Sequence, residues 1–92
     1  MPPLYTKIFL WLQVKADHVG YRVFVDGGLQ DVEPGQILTT LSRIAEENSW
    51  LVRGKKKRAN KKTIQTILKW FEQQMMVRVE SNGYNTLITL LD

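Results

Sequence analysis

The chain contains no cysteine and only one histidine, His18. Without cysteine it can form neither a disulfide nor a thiolate metal site, and a lone histidine does not make a zinc site. No acidic cluster accompanies His18, so we interpret it as a surface residue rather than a ligand or base. We therefore expect no metal and no cofactor, while the redox compartment stays open.

Long apolar runs are also missing. Residues 8–12 are strongly apolar, but Gln13 and Lys15 end the run far short of the roughly 20 residues that a membrane-spanning helix needs. The run is also short for the apolar part of a secretory signal peptide, and no small-residue cleavage site follows it. We expect a soluble cytoplasmic protein with no membrane partner.

The motifs that usually carry catalysis are absent as well. There is no G-x-x-x-x-G-K phosphate loop, no nucleophile elbow and no metal-spaced cluster. Glu46 and Glu47 are neighbours on a predicted helix, so their side chains point in different directions, and we interpret both as solvated surface. We predict that the chain is not an enzyme and has no catalytic residue.

What the chain does have is positive charge concentrated in one place. Its 92 residues carry 13 Lys and Arg against 9 Asp and Glu, a formal net charge of +4. Seven of the basic residues and none of the acids fall within residues 53–62, so the rest of the chain is mildly acidic. A polyanion is the natural partner of such a patch, and a solvated lysine-rich loop is the alternative. The seven residues are Arg53, Lys55, Lys56, Lys57, Arg58, Lys61 and Lys62.

The basic run leads into a predicted amphipathic helix over residues 60–75. Apolar residues recur at the helical spacing i, i+3, i+4 and i+7, namely Ile64, Ile67, Leu68 and Phe71. Asn60 can cap the first turn, and Lys61 and Lys62 lie at the positive end of the helix dipole, where a bound phosphate would relieve their repulsion. The opposite face carries side chains that can contact phosphates or base edges: Lys62, Gln65, Thr66 and Lys69.

Two more helices and two strand regions are predicted before the basic run. Residues 4–15 form a helix whose apolar stripe, Leu4, Ile8, Phe9 and Leu12 with Trp11 as a further member, packs in the core rather than lining a ligand pocket. Residues 21–32 form a short hairpin, or a strand with a loose return, around the turn signal at residues 26–28. Residues 36–39 form a strand. Thr40 caps a helix over residues 41–47, with Leu41, Ile44 and Ala45 facing inward.

Residues 50–52, Trp-Leu-Val, are interpreted as a plug of the core beside the second helix, the alternative being an exposed binding patch. At the end of the chain, residues 76–81 and 84–91 are two strands joined at Asn82-Gly83, a strong signal for a type I′ hairpin turn. The order is helix, strand region, helix, helix and hairpin. This order predicts a single α+β domain over residues 1–92, a winged helix-turn-helix whose third helix enters the DNA major groove beside a C-terminal β-hairpin wing.

From Gly35 onward the chain resembles the winged-helix domains at the N-terminus of phage replication-initiation proteins, replisome organisers and DnaD-type primosome proteins. The matching segments are GQILTT, RIAEE, NKKTIQTILKWFEQQMM and VRVESNGYNTLITLL, with a looser match in IFLWLQVKADH. The resemblance implies non-catalytic binding of double-stranded DNA near a replication origin, in the cytoplasm of a bacterial or phage-infected cell. It implies recognition positions at Asn60, Lys61, Lys62, Thr63, Gln65, Thr66 and Lys69, and wing positions at Arg78, Asn82, Gly83 and Tyr84.

The chain departs from that family in three ways. The connection over residues 48–59 is longer than in a common helix-turn-helix, so we expect residues 53–58 to be a mobile basic insert that grips phosphates. Met75 stands where many relatives carry the glycine that ends the third helix, so its cap is expected to differ. Relatives usually continue beyond the position of Asp92 into a second domain, so the chain is interpreted as the N-terminal module of a longer protein.

Several alternatives remain open at this point. A winged helix can serve protein docking, here through Trp50, Trp70 and the wing, or can belong to a transcriptional regulator. Basic residues and aromatic residues such as Tyr84 also suit RNA or single strands. The KKKR tetrapeptide is a weak match to a nuclear-import signal. Replisome-loading proteins and a second copy of the chain are further candidate partners.

Overall fold

The computed structural model describes residues 1–16, 18–25, 27–82 and 84–91. These residues form a mixed α+β structure with three helices and antiparallel strands, which confirms the predicted class. In chain order the elements are α1 (Pro3–Lys15), β1 (Tyr21–Val25), β2 (Gly28–Val32), β3 (Gln36–Thr39), α2 (Leu41–Glu47), β4 (Trp50–Val52), β5 (Lys55–Lys57), α3 (Lys61–Gln73), β6 (Val77–Asn82) and β7 (Asn85–Leu90).

The largest sheet has the last strand, β7, at its centre, between β3 and β6. The pairing of β3 with β7 brings together two segments about 50 residues apart in the chain, with Gln36 opposite Thr89. The Gln36 side-chain amide donates to Thr89 Oγ1 at 3.0 Å and its oxygen accepts from the backbone N–H of Glu33 at 2.8 Å. This pairing closes the fold, because it fixes the C-terminal hairpin against the strand that precedes α2.

The core joins all three helices to this sheet. The stripe predicted for α3 is fully confirmed, since Ile64, Ile67, Leu68 and Phe71 are all buried. Ile8 and Leu12 of α1, Ile44 and Ala45 of α2, and Ile37, Val77 and Ile88 of the sheet complete the cluster.

An aromatic cluster locks α1 against α3. The rings of Tyr5 and Trp70 meet edge to face with centroids 5.5 Å apart, and those of Phe9 and Phe71 lie at the same distance. Such pairs add about 0.5–1.5 kcal/mol each beyond the burial of their area. The prediction that the aromatic residues of α1 serve core packing is therefore confirmed, and Trp11 is half-buried against the same core.

The helix caps follow the sequence closely. Thr40 Oγ1 accepts from the backbone N–H of Arg43 at 3.1 Å and Asn60 Oδ1 accepts from that of Thr63 at 2.8 Å, so both predicted N-caps are confirmed. At the C-terminus of α3, Met76 N–H donates to Phe71 O and Met75 N–H to Glu72 O. This is the Schellman arrangement, with Met75 held at φ +56°. The expectation of a different cap was wrong, because Met75 adopts the left-handed conformation that glycine would.

Residues 50–52 do not plug the core, and that prediction was wrong. Trp50 is 40% exposed, Leu51 72% and Val52 44%, and the three residues form strand β4. The core beside α2 is already filled by the side chains of α1 and α3. Residues 50–52 therefore lie outside the core and pair with the segment that follows them in the chain.

That following chain is the basic run, and it too differs from the prediction. Residues 55–57 form strand β5, antiparallel to β4, so the segment expected to be a mobile insert is a β-hairpin. Arg53 at φ +53° and Gly54 at φ +79° make its tight turn, because two successive positive φ angles are what a type I′ turn requires.

The other two hairpins are largely as expected. Strands β1 and β2 pair from Tyr21–Val32 to Val25–Gly28, which confirms the hairpin, although Asp26 of its turn lies outside the described residues. In the C-terminal hairpin Asn82 pairs with Asn85, so Asn82 belongs to strand β6 and not to the centre of the turn as predicted. The register is set by the apolar pairs Val77–Leu90 and Val79–Ile88 rather than by the local turn signal. Gly83 lies outside the described residues.

Across the described ranges, every helix is too short or too polar to cross a lipid bilayer.

Candidate nucleic-acid interface

The N-terminus of α3 presents free donors and free lysines together. The side chain of Asn60 satisfies the N–H of Thr63, and the carbonyl of Asn60 accepts from Ile64 at 3.2 Å. The backbone N–H groups of Lys61 and Lys62 have no hydrogen-bond partner in the described part of the chain. Neither lysine side chain forms an ion pair there. Free amides at the positive end of a helix dipole are the usual geometry for binding a phosphate.

The predicted outer face of α3 is exposed in the structure along its whole length. Gln65 and Lys69 have no side-chain partner among residues 1–16, 18–25, 27–82 and 84–91, so both are free to bind a ligand. Thr66 differs, because its hydroxyl donates to the carbonyl of Lys62 at 3.0 Å. It keeps only acceptor capacity, which leaves Gln65 as the side chain best placed to both donate to and accept from a base edge. Thr63 is exposed beside them.

The basic hairpin divides into paired and unpaired cations. Both Lys56 Nζ and Arg58, whose Nη1 lies 3.1 Å away, bond to the carboxylate of Glu46 on α2. The hydrogen bond from Lys56, supported by Arg58, holds the pKa of Glu46 below its usual range, so the carboxylate stays ionised. By contrast, Lys55 and Lys57 form no ion pair with any described residue. The seven predicted cations of residues 53–62 are therefore not equivalent.

The C-terminal hairpin of β6 and β7, predicted to be the wing, lies at the other end of α3. The Val79 N–H donates to Glu72 in the last turn of the helix at 3.2 Å, so β6 is attached there. Lys61 lies eleven residues before Glu72, about 16 Å along the helix axis. Tyr84 is largely exposed, and Arg78 lies 4.0 Å from Glu80. The side chain of Asn82, like Gly83, lies outside what the structure describes.

Glu46 and Glu47 form contacts that the sequence did not predict. Glu46 and Glu47 do point in different directions, as expected, but they are not idle solvated side chains. Glu47 accepts from Trp11 Nε1 at 3.2 Å and from Arg43 Nε at 2.8 Å, and lies 3.6 Å from Lys15. Only the contact with Arg43, at spacing i, i+4, could have been found from the sequence. The others require the tertiary approach of α1 and of the hairpin to α2.

A search of the described residues finds no group of three or more acids and histidines placed to hold a metal ion. Comparisons with protein-family models, with curated proteins and with solved structures found no match.

Proposed function

We propose that this chain is a winged-helix domain that binds double-stranded DNA without catalysis, with α3 in the major groove. The observation that carries the proposal is the exposed polar face of α3 and its N-terminus, where Lys61, Lys62, Gln65 and Lys69 lack partners in the described chain. No acid occurs anywhere in residues 48–71, so nothing in that segment repels a phosphate backbone.

The order of elements supports the fold part of the proposal. Apart from the β1–β2 and β4–β5 hairpins, the chain runs through a helix, a strand, two helices and a hairpin. The strand β3 pairs with the second strand of that last hairpin. This arrangement holds α3 on the core by one face only. The basic hairpin of β4 and β5 then takes the place of the short turn between the two helices of a helix-turn-helix, as an insertion into that motif.

The division of labour within the interface follows from the side chains. Five unpaired lysines, Lys55, Lys57, Lys61, Lys62 and Lys69, supply phosphate contacts, which position the domain without selecting a sequence. Gln65 contacts base edges, since its amide can bond bidentately to adenine. Lys56 and Arg58 are held by Glu46 and orient the hairpin rather than grip the backbone.

The biological setting rests on the sequence resemblance alone. It supports origin recognition in phage or plasmid-type replication initiation, with replisome-loading proteins as further partners. A transcriptional regulator would use the same interface. A binding-site selection on random duplexes would give the preferred sequence. The location of that sequence in the genome, at an origin or at promoters, would then separate the two.

The proposal is tested by measuring duplex affinity at several salt concentrations. With about five phosphates neutralised, the logarithm of affinity should fall against the logarithm of salt with a slope of about −4 to −5. The triple variant Lys61→Gln, Lys62→Gln, Lys69→Gln should bind all duplexes more weakly and flatten that slope by roughly 3. Gln65→Ala should keep the slope and lose preference for the selected site, at a cost of about 1–3 kcal/mol.

A charge-matched control removes three cations that lie outside α3 and outside the β4–β5 hairpin, through Lys15→Gln, Arg22→Gln and Arg43→Gln. It should keep nearly the full slope. Equal losses in the two triple variants would show that only overall charge matters, and an unchanged isotherm for the α3 variant would refute binding through this helix.

Protein docking is the second candidate function. Trp50 is exposed, as docking requires, but Trp70 packs against Tyr5 and Phe71 and offers little free surface. If the domain serves docking and not DNA binding, it should self-associate or capture a protein partner. It should then produce no mobility shift with any duplex.

A further inference from the structure

The hairpin of β4 and β5 has two faces of different chemistry. Residues directly opposite one another in an antiparallel pair lie on the same face, and neighbours along a strand lie on opposite faces. Trp50 pairs with Lys57 and Val52 with Lys55, so these four residues share one side, here called the tryptophan face. Leu51 pairs with Lys56 on the other side, where Lys56 bonds to Glu46 of α2.

The tryptophan face is exposed, cationic and partly apolar. Trp50 lines an open apolar pocket together with Pro3, Leu4 and Lys7 at the start of α1. The Lys7 ammonium donates to the carbonyl of Ser49 at 2.7 Å, which ties α1 to the first residue of the hairpin. Within the described ranges no acidic residue lines this pocket, and the cations of the tryptophan face are the two unpaired lysines of the hairpin.

An exposed indole beside free lysines on the neighbouring strand suits an unpaired nucleic-acid strand. Such strands bind where cations track the phosphates and an aromatic ring offers a surface on which a base can stack. A duplex cannot use the indole in this way, because its bases are stacked on one another inside the helix. Only residues 58–60 separate β5 from α3, so Lys57 lies within roughly 14 Å of Lys61.

We propose that the tryptophan face binds a single strand that leaves the duplex held by α3, with a base stacked on Trp50 and its phosphates on Lys55 and Lys57. This inference rests on the proposed duplex binding for its setting. The stacking ring, Trp50, is separate from the face of α3, whereas Lys55 and Lys57 are shared with the phosphate contacts proposed for the duplex. The domain would thereby prefer a junction of paired and unpaired DNA to a continuous duplex.

The test compares three probes at one salt concentration: a blunt duplex, the same duplex with an oligothymidine tail, and free oligothymidine of about 12 nucleotides. The protein should bind the tailed duplex more tightly than the blunt one. Trp50→Ala should lower the affinity for the tail and for free oligothymidine by about five- to a hundredfold, as loss of a stacking ring does elsewhere. It should leave the blunt duplex nearly unchanged.

Matched controls lie on the same two strands. Leu51→Ala removes an exposed apolar side chain from the opposite face. It should bind the tail like the parent protein, whereas Lys55→Gln with Lys57→Gln should bind it several-fold more weakly. Trp50→Phe guards against loss of the hairpin, since it retains an aromatic ring. It should retain most of the tail binding but lose the quenching of tryptophan fluorescence that stacking on the indole produces.

Several results would overturn the inference. These are equal effects of Trp50→Ala and Leu51→Ala, the same quenching in Trp50→Phe as in the parent protein, and equal affinity for tailed and blunt duplexes. A fourth is binding of a Glu- and Phe-rich peptide to the tryptophan face when oligothymidine does not bind, which would assign the surface to an acidic protein. The blunt duplex reports on the proposed function separately, because tail binding that depends on Trp50 without any duplex binding would remove that function and keep this site.

Discussion

Met75 holds a conformation that its side chain disfavours. It ends α3 at φ +56°, its side chain is 76% exposed, and its backbone N–H and that of Met76 close the helix. For a residue with a β-carbon the left-handed region costs roughly 1–2 kcal/mol. The geometry of the cap is thus set by the hydrogen bonds of the helix end, and the sequence tolerates the strain.

We predict that Met75→Gly stabilises the domain by about 1 kcal/mol or less. Glycine relieves the left-handed strain. It also lowers the stability by roughly 0.4–1 kcal/mol, because the unfolded chain has more conformational freedom with glycine at this position. Urea denaturation followed by circular dichroism measures the difference. Met75→Ala is the control and should change little, because alanine keeps the β-carbon. A destabilised glycine variant would show that the Met75 side chain contributes more to folding than its exposure indicates.

Gly54 is the residue on which the basic hairpin turns. Its φ of +79° follows that of Arg53 at +53°, and neither angle suits an ordinary side chain. Little in the local residue pattern predicts this hairpin. Three successive lysines show no alternation of polar and apolar residues, and Arg-Gly is a weaker turn signal than Asn-Gly. Only the pairing of β5 with the exposed strand β4 makes a strand of them.

We predict that Gly54→Ala opens this hairpin while α3 stays intact. An alanine at that φ is strained, and a two-stranded hairpin has little stability to spare. Amide hydrogen exchange should speed up in residues 50–57 and stay unchanged in α3. Gly54→Asn is the matched control, because asparagine tolerates positive φ, and it should exchange like the parent protein. Faster exchange throughout α3 would instead make the hairpin part of the main cooperative unit.

The two faces of the β4–β5 hairpin differ in charge pairing, which its composition does not indicate. Glu46 fixes Lys56 and Arg58 on one side, which leaves Lys55 and Lys57 with Trp50 on the other. A sequence pattern treats the three lysines as one charge cluster. Strand geometry separates them, because successive side chains point to opposite faces.

Over the molecule as a whole, Glu47 connects α1 to α2, whereas the aromatic cluster joins α1 to α3. It bonds to Trp11 of α1 and to Arg43 of α2, with Lys15 close by. The hydrogen bonds from Arg43 and Trp11 and the charge of Lys15 together lower the pKa of Glu47. A carboxyl whose pKa is lowered on folding stabilises the folded state above its unfolded pKa, and this contribution is lost as pH falls through the folded pKa.

We therefore predict that acid destabilises the domain partly through Glu47. The free energy of unfolding should decline as pH falls below about 5, and Glu47→Gln should flatten that decline. At neutral pH the variant should lose at most about 1 kcal/mol, because the group is partly exposed and screened. Urea denaturation at a series of pH values measures both effects. Glu33→Gln is the control, since Glu33 forms no ion pair within the described residues, and a decline of the same steepness in both variants would count against the prediction.

The sequence by itself determined the helices, the N-caps of α2 and α3 and the buried stripe of α3. These features depend on residues within a few positions of one another, as with Asn60 and Thr63 or Ile64 and Phe71, and local spacing is what a sequence displays directly. The acid-free segment and its polar helix face were also visible there. They made nucleic acid the natural partner to propose.

Tertiary structure alone decided which cations are free and which apolar residues are covered. Trp50 is exposed because side chains from α1 and α3, distant in the chain, already fill the space beside α2. Lys56 is neutralised because Glu46, ten residues earlier, faces it across the hairpin. The register of the C-terminal hairpin likewise follows the apolar pairing of β6 with β7, which overrides its turn signal. In each case, segments distant in the chain compete for the same space or the same charged partner. A local sequence pattern does not show which segment occupies it.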